Sequence, residues 1–262
     1  MGLVFDLILV MLNKKITRIS LAISFTFILL MWAVFLLDYY QGLDLYRFGV
    51  YPQKLEGLKG ILFSPFIHST KDFSHILNNT TPMFILSWML FYHYRKIATK
   101  SLVLIYLLSG IGVWVLARDN FHIGMSGVIY GLASFLVISG FFRKSMRISA
   151  ISLIVIFLYG SMIWGIFPLQ VQMSWEGHLM GLLSGALTAI LFKQKGPQPA
   201  KFRYEIEEEL GIEPGDYWKI PDPLKPQNQE ETPKQQDIII RYHFIPKQIN
   251  LPQDQLSQSE EE

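Results

Sequence analysis

"GMSGVIYGLASFLVISGFF", residues 124–142, decides the fold. It carries no charge over 19 residues. At 1.5 Å per residue that is close to the ~20 residues needed to cross a ~30 Å hydrocarbon core. Yet its first turn is a serine, Ser126, between Gly124 and Gly127, with Gly131 one turn further on. Serine in an apolar helix is usually a packing residue. What Ser126 can do depends on what the rest of the chain places beside it.

The surrounding sequence repeats the apolar pattern. Hydrophobic residues make up 51% of the chain, and they fall in long uncharged runs. Six segments are expected to span a membrane: 17–37, 75–94, 101–117, 125–142, 148–167 and 176–193. The expected fold is therefore all-α, a polytopic six-helix bundle. Lys14, Lys15 and Arg18 precede the first span, and Arg95, Lys96 and Lys100 follow the second. Arg143, Lys144 and Arg147 follow the fourth, and Lys193, Lys195, Lys201 and Arg203 follow the sixth. All four clusters fall on one side, which the positive-inside rule makes cytoplasmic, with both termini inside. The short loops fit a bacterial inner membrane.

Three regions follow: an interfacial N-terminal segment (1–16), the six-helix domain (17–193) and a cytoplasmic tail (194–262). The N-terminal segment is apolar but too short to span, and Asp6 stands where a secretory signal would be basic. The first outer loop, 38–74, is rich in Tyr and Phe, as suits an interfacial anchor. The tail is rich in Pro, Gln and Glu and reads as largely disordered. Within it, "KFRYEIEEELGI" is expected as a helix and "DIIIRYHFI" as a strand.

Composition removes several chemistries. The chain has no cysteine, which excludes disulfides, thiolate metal sites and cysteine nucleophiles. It has no His-Glu-x-x-His run, so a zinc protease is disfavoured. The net charge of +2 gives no basis for a nucleic-acid partner. No cofactor or metal is expected. A transporter would call for internal repeats or buried acid pairs, and neither is evident.

The chemistry that remains lies near the outer surface. Ser126 begins the fourth span. His178 begins the sixth, in "SWEGHLMGLLSG", at similar depth. An ionisable residue inside a membrane helix marks a functional site by default. Gly127 and Gly131 are four apart, as are Gly177, Gly181 and Gly185. Small residues at this spacing let helices approach closely. Such a crossing would bring His178 against Ser126, the minimal activated nucleophile. His75 and Asn79, four apart in "FSHILNN", share one face of the second span and could donate to an oxyanion. A polar packing pair is the alternative for these two.

In these features the chain resembles the rhomboid intramembrane serine proteases. The matching residues are Gly124, Ser126 and Gly127, with Tyr130 four after the serine. His178, Gly181 and Gly185 match the family's His-x-x-Gly-x-x-x-Gly, and His75 with Asn79 its His-x-x-x-Asn. The resemblance spans 17–193 and leaves the tail unexplained. It implies a Ser126–His178 dyad without an acid, and an oxyanion hole from His75, Asn79 and the Ser126 amide. It implies Tyr130 packed on His178, a gate over about 148–175, and transmembrane proteins in the bilayer as substrates. The alternative is a non-catalytic relative that binds membrane clients.

Other residues receive plainer readings. Glu176 is expected as an exposed interface residue, or as a neighbour that biases proton binding at His178. Arg118 and Asp119 are expected to pair locally. His122 is read as a hydrogen-bonding loop residue and His93 as interfacial. The gap between His68 and His75 is longer than the resemblance would suggest, which leaves His68 without a role.

Overall fold

The computed structural model describes residues 14–143, 145–169, 173–197 and 203–211. Expectations for residues 1–13, for the "DIIIRYHFI" strand and for the disordered parts of the tail lie outside them.

Six long helices are present among the described residues: α1 (Lys14–Gln41), α2 (Phe73–His93), α3 (Ala98–Leu116), α4 (Ser126–Phe142), α5 (Met146–Tyr159) and α6 (Trp175–Leu191). A shorter α7 (Arg203–Glu209) falls within the expected tail helix. The protein is an all-helical membrane bundle. By length and composition, α1, α3 and α5 with its extension to Ile166 are sufficient to cross a membrane, and α4 is a shorter apolar helix. The fifth span departs from expectation in one respect. Its α-helix stops at Tyr159, and Gly160–Ile166 winds on as a 3-10 helix.

Helix α4 is the hub. It packs against α2, α3, α5 and α6. Ile129, Leu132, Phe135 and Leu136 along it are at most 1% exposed. Apolar burial gives little drive for association in lipid, so close packing and polar contacts must hold the helices. The α4–α6 crossing shows how. A Cβ on Gly181 would lie 2.0 Å from the Gly127 carbonyl oxygen, and one on Gly185 would lie 2.0 Å from that of Gly131. Backbone lies directly on backbone. Between α1 and α2, the Ser87 and Ser24 hydroxyls are 2.8 Å apart, and Trp32 Nε1 donates to Thr80 Oγ1.

The loop after α1 is built of short helical turns: Leu45–Phe48, Leu55–Lys59, Gly60–Phe63 and Ser64–Phe66. It is fastened to the bundle rather than free. Trp114 Nε1 donates to the Lys54 carbonyl, and Val50 and His122 exchange backbone hydrogen bonds at 2.9 and 2.8 Å. Gly124 N–H donates to the Ser64 carbonyl, so the loop holds the backbone leading into Ser126.

Candidate active site

Ser126 is the first residue of α4, so its N–H has no intrahelical acceptor. Gly124, two residues before, has φ +109°, a conformation L side chains rarely adopt. A Cβ there would also lie 2.6 Å from His75 Nε2 and 3.8 Å from Asn79 Nδ2. The glycine thus lets the chain turn and brings two side-chain nitrogens of α2 against the approach to Ser126. Asn79 is 5% exposed and spends one N–H on the His75 carbonyl at 3.0 Å, its own helix.

His178 enters from α6, one turn past the Ser174 cap. Its ring stacks on Tyr130, with centroids 4.2 Å apart and planes within 6°. His178 Nδ1 lies 2.9 Å from the Gly165 carbonyl, and Tyr130 Oη donates to the Met162 carbonyl at 2.7 Å. A carbonyl only accepts, so Nδ1 is protonated, and in the neutral ring Nε2 carries the lone pair. No hydrogen bond joins Ser126 Oγ to His178 among the described residues. The crossing glycines bring their helices together. Gly127 lies beside the Gly177 carbonyl, 3.2 Å from where its Cβ would stand.

A cavity of about 40 Å³ adjoins Ser126, walled in part by Ser64, Ser109, His122 and Ser174. A water needs roughly 10–15 Å³ of such space and two or more polar partners, so this cavity can hold water beside the serine.

Several residues stand elsewhere than expected. Glu176 is 5% exposed, not an exposed interface residue. Its Oε1 pairs with Arg118 Nε at 3.3 Å, so the ion pair of Arg118 is with Glu176 rather than with Asp119. A buried carboxylate needs a partner, and the loop before α4 provides one. His68 is 2% exposed and lies between the Phe66 carbonyl and the Met125 N–H, 5.0 Å from the His75 ring. Burial lowers its pKa from 6.5 to about 3, which keeps the ring neutral.

His122 does make hydrogen bonds. Nε2 faces the Arg118 carbonyl at 3.0 Å, so Nδ1 accepts from Ser174 Oγ at 2.6 Å. Burial lowers its pKa as well. Ser174 in turn caps α6 by accepting from Gly177 N–H. A serine directly before an apolar helix was a readable cap signal. The Gly165 carbonyl had none, because a main-chain group looks the same at every position.

An uncharacterised protein of Mycobacterium tuberculosis (strain H37Rv) is 32% identical over 175 residues, covering 63% of this chain and 72% of that protein. An uncharacterised protein of Mycobacterium leprae is 30% identical over 176 residues, covering 63% and 68% respectively. With the Rhomboid domain profile matching residues 56–195, just over half of the chain and every helix from α2 to α6, this protein belongs to the rhomboid family.

Proposed function

We propose that the protein is an intramembrane serine endopeptidase that cuts peptide bonds in or near transmembrane segments of other membrane proteins. The observation that carries this reading is the state of His178. It is stacked on Tyr130, holds its proton on Nδ1, and stands on the helix that crosses the start of α4. A neutral imidazole with a free Nε2 beside a serine is poised as a general base.

In the reaction, Ser126 Oγ attacks the scissile carbonyl while its proton passes to His178 Nε2. The oxyanion takes hydrogen bonds from the Ser126 N–H and from His75 and Asn79, which face the same turn. The peptide nitrogen leaves with the proton from Nε2, and the acyl chain stays on Oγ. Water from the adjoining cavity then gives a proton to Nε2 and attacks the acyl carbon. Its departure from Oγ returns that proton to the serine. Six spans, with both ends in the cytoplasm of a bacterial cell, would place this site just below the outer surface. The six-helix region, 17–193, would be the protease domain, and 194–262 a cytoplasmic tail.

The missing Ser126–His178 hydrogen bond favours a second reading, a relative that binds membrane clients without cutting them. Catalytic hydrogen bonds are often loose before substrate arrives, so catalysis is preferred. The test is cleavage of a single-span substrate in proteoliposomes. Wild type should cut, and Ser126→Ala and His178→Ala should each lose at least about 10³-fold. Substrate capture without cleavage by wild type would establish the client-binding reading instead.

A further inference from the structure

We propose that a crevice at the end of the bundle away from Ser126 binds one anionic phospholipid, with the lipid phosphate held between Lys15 and Arg95. The inference concerns the chain as a membrane protein and does not depend on the protease reading.

Three helices form the crevice, whose volume is about 520 Å³. Helix α1 lines it with Lys15 and with Ile16, Ile19 and Ile23 below. Phe91 comes from α2, Arg95 from the turn after it, and Thr99 from the start of α3. His75 lies in the first turn of α2 and Arg95 beyond its last, so the crevice and the candidate active site occupy opposite ends of that helix. The rim is cationic and its charges are unspent. Among the described residues, neither the Lys15 ammonium nor the Arg95 guanidinium has a hydrogen-bond or ion-pair partner. Arg143, at the same end of the bundle, differs: it is buried and its guanidinium is spent on main-chain carbonyls. No Asp or Glu occurs in residues 14–37 or 73–118, so no acid on these stretches answers the two charges. Thr99 adds to the same field. It is the second residue of α3, whose cap residue Ile97 makes no side-chain hydrogen bond. The first N–H groups of a helix lack intrahelical acceptors and favour an anion.

The combination selects the ligand. A guanidinium and an ammonium at one rim suit a phosphate. The isoleucines and Phe91 suit an acyl chain. From Lys15 to Ile23 the apolar wall descends about 12 Å at 1.5 Å per residue, most of the ~15 Å depth of one hydrocarbon leaflet. The crevice ends where its two helices are tied, because Ile23 precedes Ser24, whose hydroxyl meets that of Ser87 on α2. A soluble phosphate would reach only the rim and forgo the apolar wall. A zwitterionic lipid would bring its own cation to a rim that already holds two. A phospholipid with net negative charge satisfies both parts, as basic pockets between membrane helices do.

The test is lipid binding to the detergent-solubilised full chain, read as Kd by native mass spectrometry. Phosphatidylglycerol should bind about tenfold more tightly than phosphatidylcholine with the same acyl chains. Replacing both rim cations, Lys15→Gln with Arg95→Gln, should weaken phosphatidylglycerol by roughly twentyfold to thirtyfold, at about fivefold for each basic group. Lys14→Gln with Lys96→Gln removes the same charge from neighbouring positions that do not line the crevice. That pair should change binding less than about twofold. All four side chains are exposed, so both double variants should fold. Equal weakening by the two pairs, or equal affinity for the two lipids, would overturn the proposal, because the attraction would then belong to the basic end as a whole. Inorganic phosphate should not displace the lipid, and displacement would make this a soluble-anion site instead. Binding that appears only after residues 2–13 are deleted would assign the crevice to the chain's own N-terminal segment and would equally overturn the lipid site.

Discussion

The two ends of the α4–α6 pair are built in opposite ways. At the inner end, Arg143 is 3% exposed and its guanidinium donates to the carbonyls of Phe192, Lys193, Lys195 and Pro197. It also lies over the Tyr94 ring, 5.3 Å from the centroid. The carbonyls of the turn that follows α6 are thereby gathered by one side chain from the end of α4. At the outer end the ties run from the loop before α4, Arg118 to Glu176 and His122 to Ser174, and none of them joins Ser126 to His178. Ser126 Oγ has no bond to His178, and the ring of His178 depends on a main-chain carbonyl from a third helix. One end is closed and the other is adaptable. The difference lets the candidate site adapt while the inner end keeps the register of the helices that carry it.

The largest break should come between the two ends, where nothing is adaptable. Gly181→Val places a side chain 2.0 Å from the backbone oxygen of Gly127, so the helices must part by more than about 1 Å. We expect a loss of about 3 kcal/mol or more and no labelling of Ser126. Thermal unfolding in detergent checks the first, and fluorophosphonate labelling the second.

Next comes the closed end. Arg143→Ala removes the shared donor from four carbonyls and should cost about 2–4 kcal/mol. Because the change is remote from Ser126, labelling per folded molecule should stay close to wild type at low temperature. An equal loss of labelling would mean that the two ends are not separable.

The smallest effect sharpens the outer end. The folded pKa of His68, about 3, lies below its free value of 6.5, so the unfolded chain binds the extra proton. Its contribution is therefore complete above about pH 6.5 and is lost as pH falls toward 3. By pH 5 the loss is roughly 2 kcal/mol, seen as a lower Tm than at pH 7.5. His68→Asn should flatten that dependence, since the amide does not titrate.

Much of this was legible beforehand. Largely charge-free runs of helical length marked the long helices, because lipid admits only backbone that bonds to itself. Glycines four apart on the fourth and sixth spans announced a close crossing. The cap at Ser174 was written in the sequence and overlooked. Glu176 was misread because a lone carboxylate at a helix start looks solvated. Its partner, Arg118, is 58 residues away in the chain, so only the fold could show it buried. The gap between His68 and His75 left His68 without a role, yet helical turns and the start of α2 bring their rings to 5.0 Å.

The amino-acid sequence by itself determined that the chain is a helical membrane protein of the rhomboid family, and which serine, histidines and asparagine could act. These follow from local patterns: hydrophobic length, helical period and side-chain chemistry. Only the tertiary structure decided which nitrogen of His178 holds the proton, what Glu176 pairs with, and why one end of the bundle is locked. Each of those depends on a main-chain carbonyl or a distant charge, whose position is set by packing and leaves no mark on residue identity.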